Sequence, residues 1–367
     1  MELSREQLAR VWLQCAPMGA WNRLGQLKEK WNGPLGVWEH FTPEYYDLLG
    51  PESFSYLADS RAVRCGPILR SLESLDAFPV FAGDASYPQA LSQIDHAPDV
   101  LFVRGTLPES AAPAIAIVGS RRATRYGFSQ ARRIARELAE KGVVIVSGLA
   151  KGIDAAAHWG ALDAHGKTIA VLGSGLKHLY PPENKELAAK ILSEGGAIVS
   201  ELNPDTPPLA YHFPVRNRII SGLAQGVLLI EAQKKSGTHT TVNYALDQGK
   251  EVFALPGNVD APGSELPLML LKEGAQMCTC GGDILSYMGW KEPSPEQSSF
   301  LPVQEAVDPD DPAAPVLQAL ALEEKTLEEL IEETGLDAGK LGTQLTLLEI
   351  SGKIERRAGR AYALIRS

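Results

Sequence analysis

The chain has 367 residues, 35 Lys and Arg against 45 Asp and Glu, a formal net charge of −10, and 44% apolar residues. That length holds two or three domains with a large core, and that composition excludes a wholly disordered or fibrous protein. No apolar run approaches the roughly 18 residues that span a bilayer, so no membrane partner is expected. The opening MELSREQLARVW lacks the basic head and apolar stretch of a signal peptide. The cysteines Cys15, Cys65, Cys278 and Cys280 make neither a disulfide scaffold nor a four-ligand zinc site. A reduced, cytoplasmic protein without a metal is expected.

Residues 1–79 read as several short helices, with Trp12, Trp21, Trp31 and Trp38 at apolar positions. Tryptophans in a small helical domain usually form its core. Pro43, one residue after Thr42, falls where a helix can start. Helix-hairpin-helix modules bind nucleic acid through backbone amides at Gly-rich turns, but Ala16-Pro17-Met18-Gly19-Ala20 matches such a turn poorly. This small helical domain, of SAM or helix-hairpin-helix type, is assigned no chemistry.

Residues 80–290 carry the informative pattern. Apolar, β-branched runs recur at 115–119, 143–147, 168–172, 197–201, 227–231 and 251–255, with a weaker one at 275–279. Amphipathic helical stretches separate most of them, such as SQARRIARELAEKG, which Gly142 can stop. Continuous apolar strands alternating with helices predict an α/β fold, a mostly parallel, doubly wound, Rossmann-like sheet covered on both faces.

Segment 291–312, rich in Pro, Ser and acid, holds one basic and six acidic residues and reads as a linker. Residues 313–367 read as helix, helix, longer helix and basic hairpin. Half the net acidity lies in the linker, so the global charge does not exclude a local polyanion site. Six arginines fall between Arg121 and Arg136 before the first acid, Glu137.

Ligands of open parallel sheets bind beyond the carboxyl ends of the strands, and the polar loops fall there. Gly119-Ser120-Arg121-Arg122 follows the first parallel strand and Gly148-Leu149-Ala150-Lys151-Gly152 the second. Gly173-Ser174-Gly175-Leu176-Lys177 follows the third, and a loop reaching Phe213-Pro214-Val215-Arg216-Asn217-Arg218 the fourth. Lys234-Lys235-Ser236-Gly237-Thr238 and Pro256-Gly257-Asn258 complete the crest. Gly-Ser turns leading into helices expose N–H groups to anions, and Arg and Lys supply charge. An anionic ligand is the expectation. Phe213, three residues before Arg216, is placed either to stack an unpaired base or to anchor its loop.

Catalysis finds no constellation. Asp154, His158, His178, His212 and Glu231 lie at the crest, but G-x-S-x-G, a Walker loop, metal-spaced ligands and G-x-G-x-x-G are all missing. Asp154 and His158, four apart on one helix, read as a local pair that orients it. No catalytic residue, cofactor or metal is expected.

IAIVGSRRATRYG, VVIVSGLAKGIDAAAHWGAL, GKTIAVLGSGLKHLYPPEN, FPVRNRIISGLA and EVFALPGN together resemble the DprA/Smf family (DNA-processing protein A), over about residues 87–275. The later loops depart from the family pattern, at Ser236-Gly237-Thr238-His239 and at Gly263-Ser264-Glu265-Leu266. The resemblance implies a protein that binds and protects single-stranded DNA and helps load the RecA recombinase during natural transformation. It implies no cofactor, a homodimer formed through the Rossmann-like domain, and phosphate contacts from Arg121, Lys177, Arg216, Asn217 and Arg218. With Ser120, Arg122, Gly148, Lys151 and Phe213 these make up the expected site. The last module resembles a winged helix whose third helix offers only Lys340 as a cation, beside Asp337 and Glu349. Its wing carries Lys353, Arg356, Arg357 and Arg360, so an auxiliary or protein-contacting role is expected ahead of weak duplex binding. The rival reading is a nucleotide-processing phosphoribohydrolase on a related Rossmann fold, which resembles this chain less because Lys235-Ser236-Gly237-Thr238-His239 lacks that class's glutamate.

Overall fold

Six short strands with apolar runs can be buried only between two layers of helices, and the computed structural model shows that arrangement. It describes residues 2–290, 314–320, 325–350, 354–356 and 361–364. The strands are β1 (Ala77–Phe81), β2 (Val100–Gly105), β3 (Ala114–Val118), β4 (Val144–Ser147), β5 (Thr168–Val171), β6 (Ala197–Ser200), β7 (Gly226–Leu229), β8 (Glu251–Ala254) and β9 (Gln276–Met277). They form one sheet in the order β1-β2-β6-β5-β4-β3-β7-β8-β9. From β6 to β9 all pairings are parallel, so β3 through β9 make the doubly wound sheet that the sequence pattern predicts. β2 joins β6 antiparallel and β1 joins β2 antiparallel. These two strands were outside the sequence expectation, because FPVF and VLFVRG are too short to announce a strand without their partners.

The chain turns back at β3: β4, β5 and β6 lie on one side of it and β7, β8 and β9 on the other. The crevice at such a reversal is where ligands of this fold sit. The helix Arg125–Glu140 follows β3, starting at Thr124, whose hydroxyl accepts from the Gly127 N–H at 3.1 Å. It ends before Gly142, which takes φ +78°. Its buried stripe, Ala131, Ile134, Ala135 and Leu138, packs with Ile115, Ile145 and Phe253 in one layer of the core.

The N-terminal helices share their core with the sheet rather than standing apart. Trp12, Leu57 and Leu72 belong to the same cluster as Phe102, Leu149 and Ala170. Residues 1–293 form one compact unit, and β1 spans the boundary expected at 79/80. Trp12 is fully buried, its ring edge-on to Trp38 at 5.0 Å and to Phe41 at 5.2 Å, while its Nε1–H donates to the Leu57 carbonyl at 2.8 Å. Trp21 and Trp31 also spend their N–H groups internally, on the Ala16 carbonyl and the Tyr45 hydroxyl. The tryptophans are core. A 3-10 turn does begin at Pro43, although the Thr42 side chain does not cap it.

The second unit, within 294–367, has helices Ala314–Ala319, Leu327–Thr334 and Ala338–Ile350 and a small sheet of β10 (Lys325–Thr326), β11 (Ile354–Arg356) and β12 (Ala361–Leu364) in the order β10-β12-β11. Val316, Leu330, Leu341, Leu345, Leu348 and Ile354 make its core. The expected linker 291–312 and the wing residues Lys353, Arg357 and Arg360 lie outside the described residues. Arg356 is on β11.

Candidate functional site

All the parallel strands end at one crest, and the loops there are held from below by buried polar contacts. Beyond β7, Glu231 bonds both the N–H and the hydroxyl of Thr124, while its carbonyl accepts from Ser120 N–H at 2.6 Å. This ties the Gly-Ser-Arg loop to the helix that follows it. After β4, the Asp154 carboxylate accepts from the N–H groups of Gly148 and Ala150 at 3.2 and 3.3 Å. Asn184, from the PPEN segment, donates to the carbonyls of Leu149 and Ala150 at 2.8 and 3.2 Å.

These contacts correct the expected source of anion affinity. The N–H groups of Ser120, Gly148, Ala150, Gly175 and Lys177 are already bonded within the protein. These five amides are therefore not offered to an anion, and the side-chain cations carry more of the site than expected.

Arg121 and Arg216 converge there on Phe213. The Arg121 guanidinium carbon lies 5.5 Å from the centre of the Phe213 ring and that of Arg216 5.9 Å. A small cavity of about 70 Å³ is lined by Arg121, Gly148, Lys151, Tyr180, Phe213 and Arg216. Two glycines make the approach possible. A Cβ on Gly173 would stand 2.7 Å from the Phe213 ring, and one on Gly148 would stand 2.7 Å from both Arg216 Nη2 and Asp154 Oδ2. Arg121 is exposed and has no ion pair among the described residues, so its charge is available to a ligand. Arg216 is 5% exposed and donates to the carbonyls of Gly148 (2.9 Å) and Val171. Burial lowers its pKa to about 10, against the pull of Asp154, so it stays charged at neutral pH. Burial likewise raises the Asp154 carboxyl, and the Arg216 charge and the two amides oppose that rise.

Phe213 and the Arg-Asn-Arg segment lie on the helix His212–Gly222, not in a loop. Helical spacing therefore separates Arg216 from Arg218. Arg218 is buried on another side, paired with Glu201, and does not join Arg121. Asn217 reaches the Gly237 carbonyl at 3.5 Å. Lys177 pairs with Asp205 at 2.6 Å and Lys151 with Glu183 at 2.5 Å, both exposed pairs that cost little to break. Arg122 is exposed beside Ser120, whose hydroxyl accepts its N–H at 3.1 Å. In the arginine run, Arg132, Arg133 and Arg136 are taken by Asp163, Glu137 and Glu140.

The expected Asp154–His158 pair does not form, because the helix Ile153–Asp163 is buried on nearly every side and each polar group meets a different neighbour. His158 Nδ1 lies 2.7 Å from the Thr168 hydroxyl, which donates its own hydrogen to the Ile145 carbonyl at 2.6 Å. Nδ1 therefore carries the proton and Nε2 is a bare, buried lone pair. Sequence reasoning missed Tyr180, half exposed with its ring 5.7 Å from Phe213. It also missed Asn184; a Tyr-Pro-Pro-x-Asn run at a strand end was the available signal. Among the described residues no three His, Cys, Asp or Glu groups cluster as metal ligands, and no helix is long and apolar enough to cross a membrane.

Fold and crest define a class: a Rossmann-like α/β protein with a cationic, aromatic strand-end site. Residues 79–289 match the family model of the DNA recombination-mediator protein A, and residues 301–360 match the DprA winged helix domain. The chain belongs to the DNA recombination-mediator protein A (DprA/Smf) family. Protein Smf of Escherichia coli K12 is 44% identical over 274 residues, covering 73% of this chain and 72% of that one. DNA processing protein DprA of Streptococcus pneumoniae R6 is 44% identical over 210 residues, covering 57% and 74%. Among solved structures, DprA from Streptococcus pneumoniae superposes with a TM-score of 0.63 at 34% identity, over 78% of this chain and 98% of that one. DNA processing protein A from Helicobacter pylori, described for its single-stranded DNA binding mode, gives 0.53 at 29% identity, over 58% and 96%.

Proposed function

We propose that this protein is a DNA-processing protein that binds single-stranded DNA at the crest without catalysing a reaction. The observation that carries the reading is the convergence of Arg121 and Arg216 on the half-buried Phe213 ring. Cations for phosphate and an aromatic face for an unpaired base are the two parts of a sequence-tolerant single-strand site. Tyr180 beside Phe213 supplies a second ring, and Lys177, Lys151, Arg122, Ser120 and Asn217 extend the contact surface. Arg218 is left out of the contact set, since Glu201 already neutralises it. Membership of the family and the single-strand binding described for the Helicobacter pylori protein support this reading.

The finer role is a recombination mediator that protects incoming single strands and helps load RecA in natural transformation, working as a cytoplasmic homodimer. The winged helix is assigned an auxiliary or protein-contacting role. The one cation at the start of its third helix, Lys340, lies 3.5 Å from Asp337, and the preceding helix spends Glu329 on its own cap at Thr326. Anisotropy of labelled oligo(dT), set against a duplex of equal length, tests the binding. Equal affinity for the duplex, or affinity unmoved by loss of Arg121, overturns it. RecA filament formation on strands coated with a single-strand binding protein tests the mediator role. The phosphoribohydrolase reading gains nothing at the crest, where both oxygens of Glu231 are bonded to Thr124. Release of free base from a nucleoside monophosphate would restore it.

A further inference from the structure

One N-terminal helix, Gly66–Ser74, is stapled to the crest. Its Ser71 hydroxyl donates to Asp205 at 2.7 Å, and the other carboxylate oxygen of Asp205 takes the Lys177 ammonium at 2.6 Å. Two residues earlier, Asn203 donates to the Tyr56 hydroxyl at 2.7 Å. The loop 203–211 thus starts against the N-terminal helices and ends at the helix that carries Phe213 and Arg216. Its Thr206 and Pro204 carbonyls accept the amides of Gly175 and Lys177 at 2.8 and 3.1 Å, which seats it on the crest. Along it Leu209 is 39% exposed and Tyr211 59% exposed, an open aromatic face two residues from Phe213. A chain of contacts therefore leads from Phe213 over this loop and Lys177 to Ser71.

Beyond Ser71 stand two arginines whose charges the fold does not use. Arg64 and Arg70 are exposed, and neither has an ion pair among the described residues. Arg70 does not take Glu73, three residues on. Its Nη1 lies back over Gly66, 3.2 Å from where a Cβ would stand, and so brings its charge to the turn 63–66 that holds Arg64. Two like charges at a helix start oppose both each other and the helix dipole. The neighbouring Arg61 differs: its Nη1 donates to the Phe41 carbonyl at 3.1 Å and its guanidinium lies over the Trp38 and Phe41 rings. The Gly66 N–H is spent on the Val63 carbonyl at 3.0 Å and Pro67 has none, so the arginines rather than these amides face a ligand. Pro67, Ser71 and Ser74 share the helix face beside Arg70 at helical spacing and put no acid on it.

We propose that the turn 63–66 and the helix behind it hold a second stretch of the single strand, which leaves the crest over Tyr211 and Lys177 and sets its phosphates on Arg64 and Arg70. This rests on the crest reading, because the crest fixes where the strand begins. A polyanion is the ligand that relieves two unpaired neighbouring cations. Ser71 keeps hold of Asp205 when Lys177 turns to a phosphate, so the acid between the two stretches stays hydrogen-bonded. Contacts to phosphate carry no base code. The N-terminal helices therefore add affinity and footprint, not sequence preference.

Titration of the full chain with oligo(dT) of about 6 nucleotides, near the short end of single-strand footprints, and of about 20 tests the path. The short strand reads the crest alone, and the long strand should show a salt slope steeper by about 1.4, two contacts at about 0.7 each. Arg64→Ala with Arg70→Ala should remove that extra slope and weaken the long strand about tenfold, leaving the short strand unmoved. Arg64→Glu with Arg70→Glu should enlarge the loss on the long strand alone, and unchanged short-strand affinity shows that each variant is folded. Arg121→Ala should weaken both lengths. If Arg121→Ala does so while the paired variants spare the long strand, or weaken both lengths equally, the path is overturned and the crest stands. If Arg121→Ala moves neither length, the crest reading itself fails and the path falls with it.

Discussion

Replacing Arg121 by alanine isolates the crest. Arg121 is exposed, has no ion pair among the described residues, and lays its guanidinium against Phe213, so its loss should leave the melting temperature within about a degree. Four crest cations can meet phosphates at little cost: Arg121 and Arg122, which are exposed, and Lys151 and Lys177, after release from their exposed pairs with Glu183 and Asp205. Each neutralised phosphate of a single strand contributes about −0.7 to the slope of log K against log salt, so the wild type should show a slope near −3. Arg121→Ala should flatten that slope by about 0.7. It should also weaken oligo(dT) binding by about 2 kcal/mol, roughly 30-fold, the scale of one charge-assisted hydrogen bond. Anisotropy titrations between about 50 and 200 mM salt read both quantities. An unchanged slope and affinity in a folded variant would remove the crest from the DNA site, and with it the central argument for function.

Phe213→Ala should weaken oligo(dT) binding by about 1–3 kcal/mol while leaving the salt slope unchanged, because stacking releases few counterions; a flattened slope would show that the ring instead positions Arg121. Truncation after Asp308 should leave single-strand affinity within a few fold, and a loss beyond about 100-fold would place the winged helix in the primary site. Burial lowers the pKa of His158 to about 3 in the folded protein, with the Arg216 charge adding to the effect. The unfolded chain, with a histidine pKa near 6.5, therefore binds the extra proton first on acidification. The neutral buried ring contributes fully above pH 6.5, and stability falls by about 1.4 kcal/mol per pH unit between about 6.5 and about 3. Denaturant melts across that range should show this slope, and His158→Gln should reduce it; identical slopes in both proteins would refute the assignment.

The strands β3 to β9 were legible because a sheet buried on both faces needs continuous β-branched runs, and 115–119, 143–147 and 227–231 are such runs. The crest was legible for a related reason: strand ends in this fold all point one way, so loops after strands must converge. Charge availability was not legible. Arg121, Lys177, Arg216 and Arg218 are four similar letters, yet Arg121 has no ion pair among the described residues, Lys177 pairs with Asp205, Arg216 is sunk beside Asp154, and Arg218 is locked to Glu201. Their partners lie 17 to 62 residues away in the chain, and only the folded helix directions decide which cation meets which acid. Local pattern determines which elements form, because burial and backbone propensity act on neighbours along the chain. Which charges remain free, and which voids remain open, is decided by contacts between residues far apart in it.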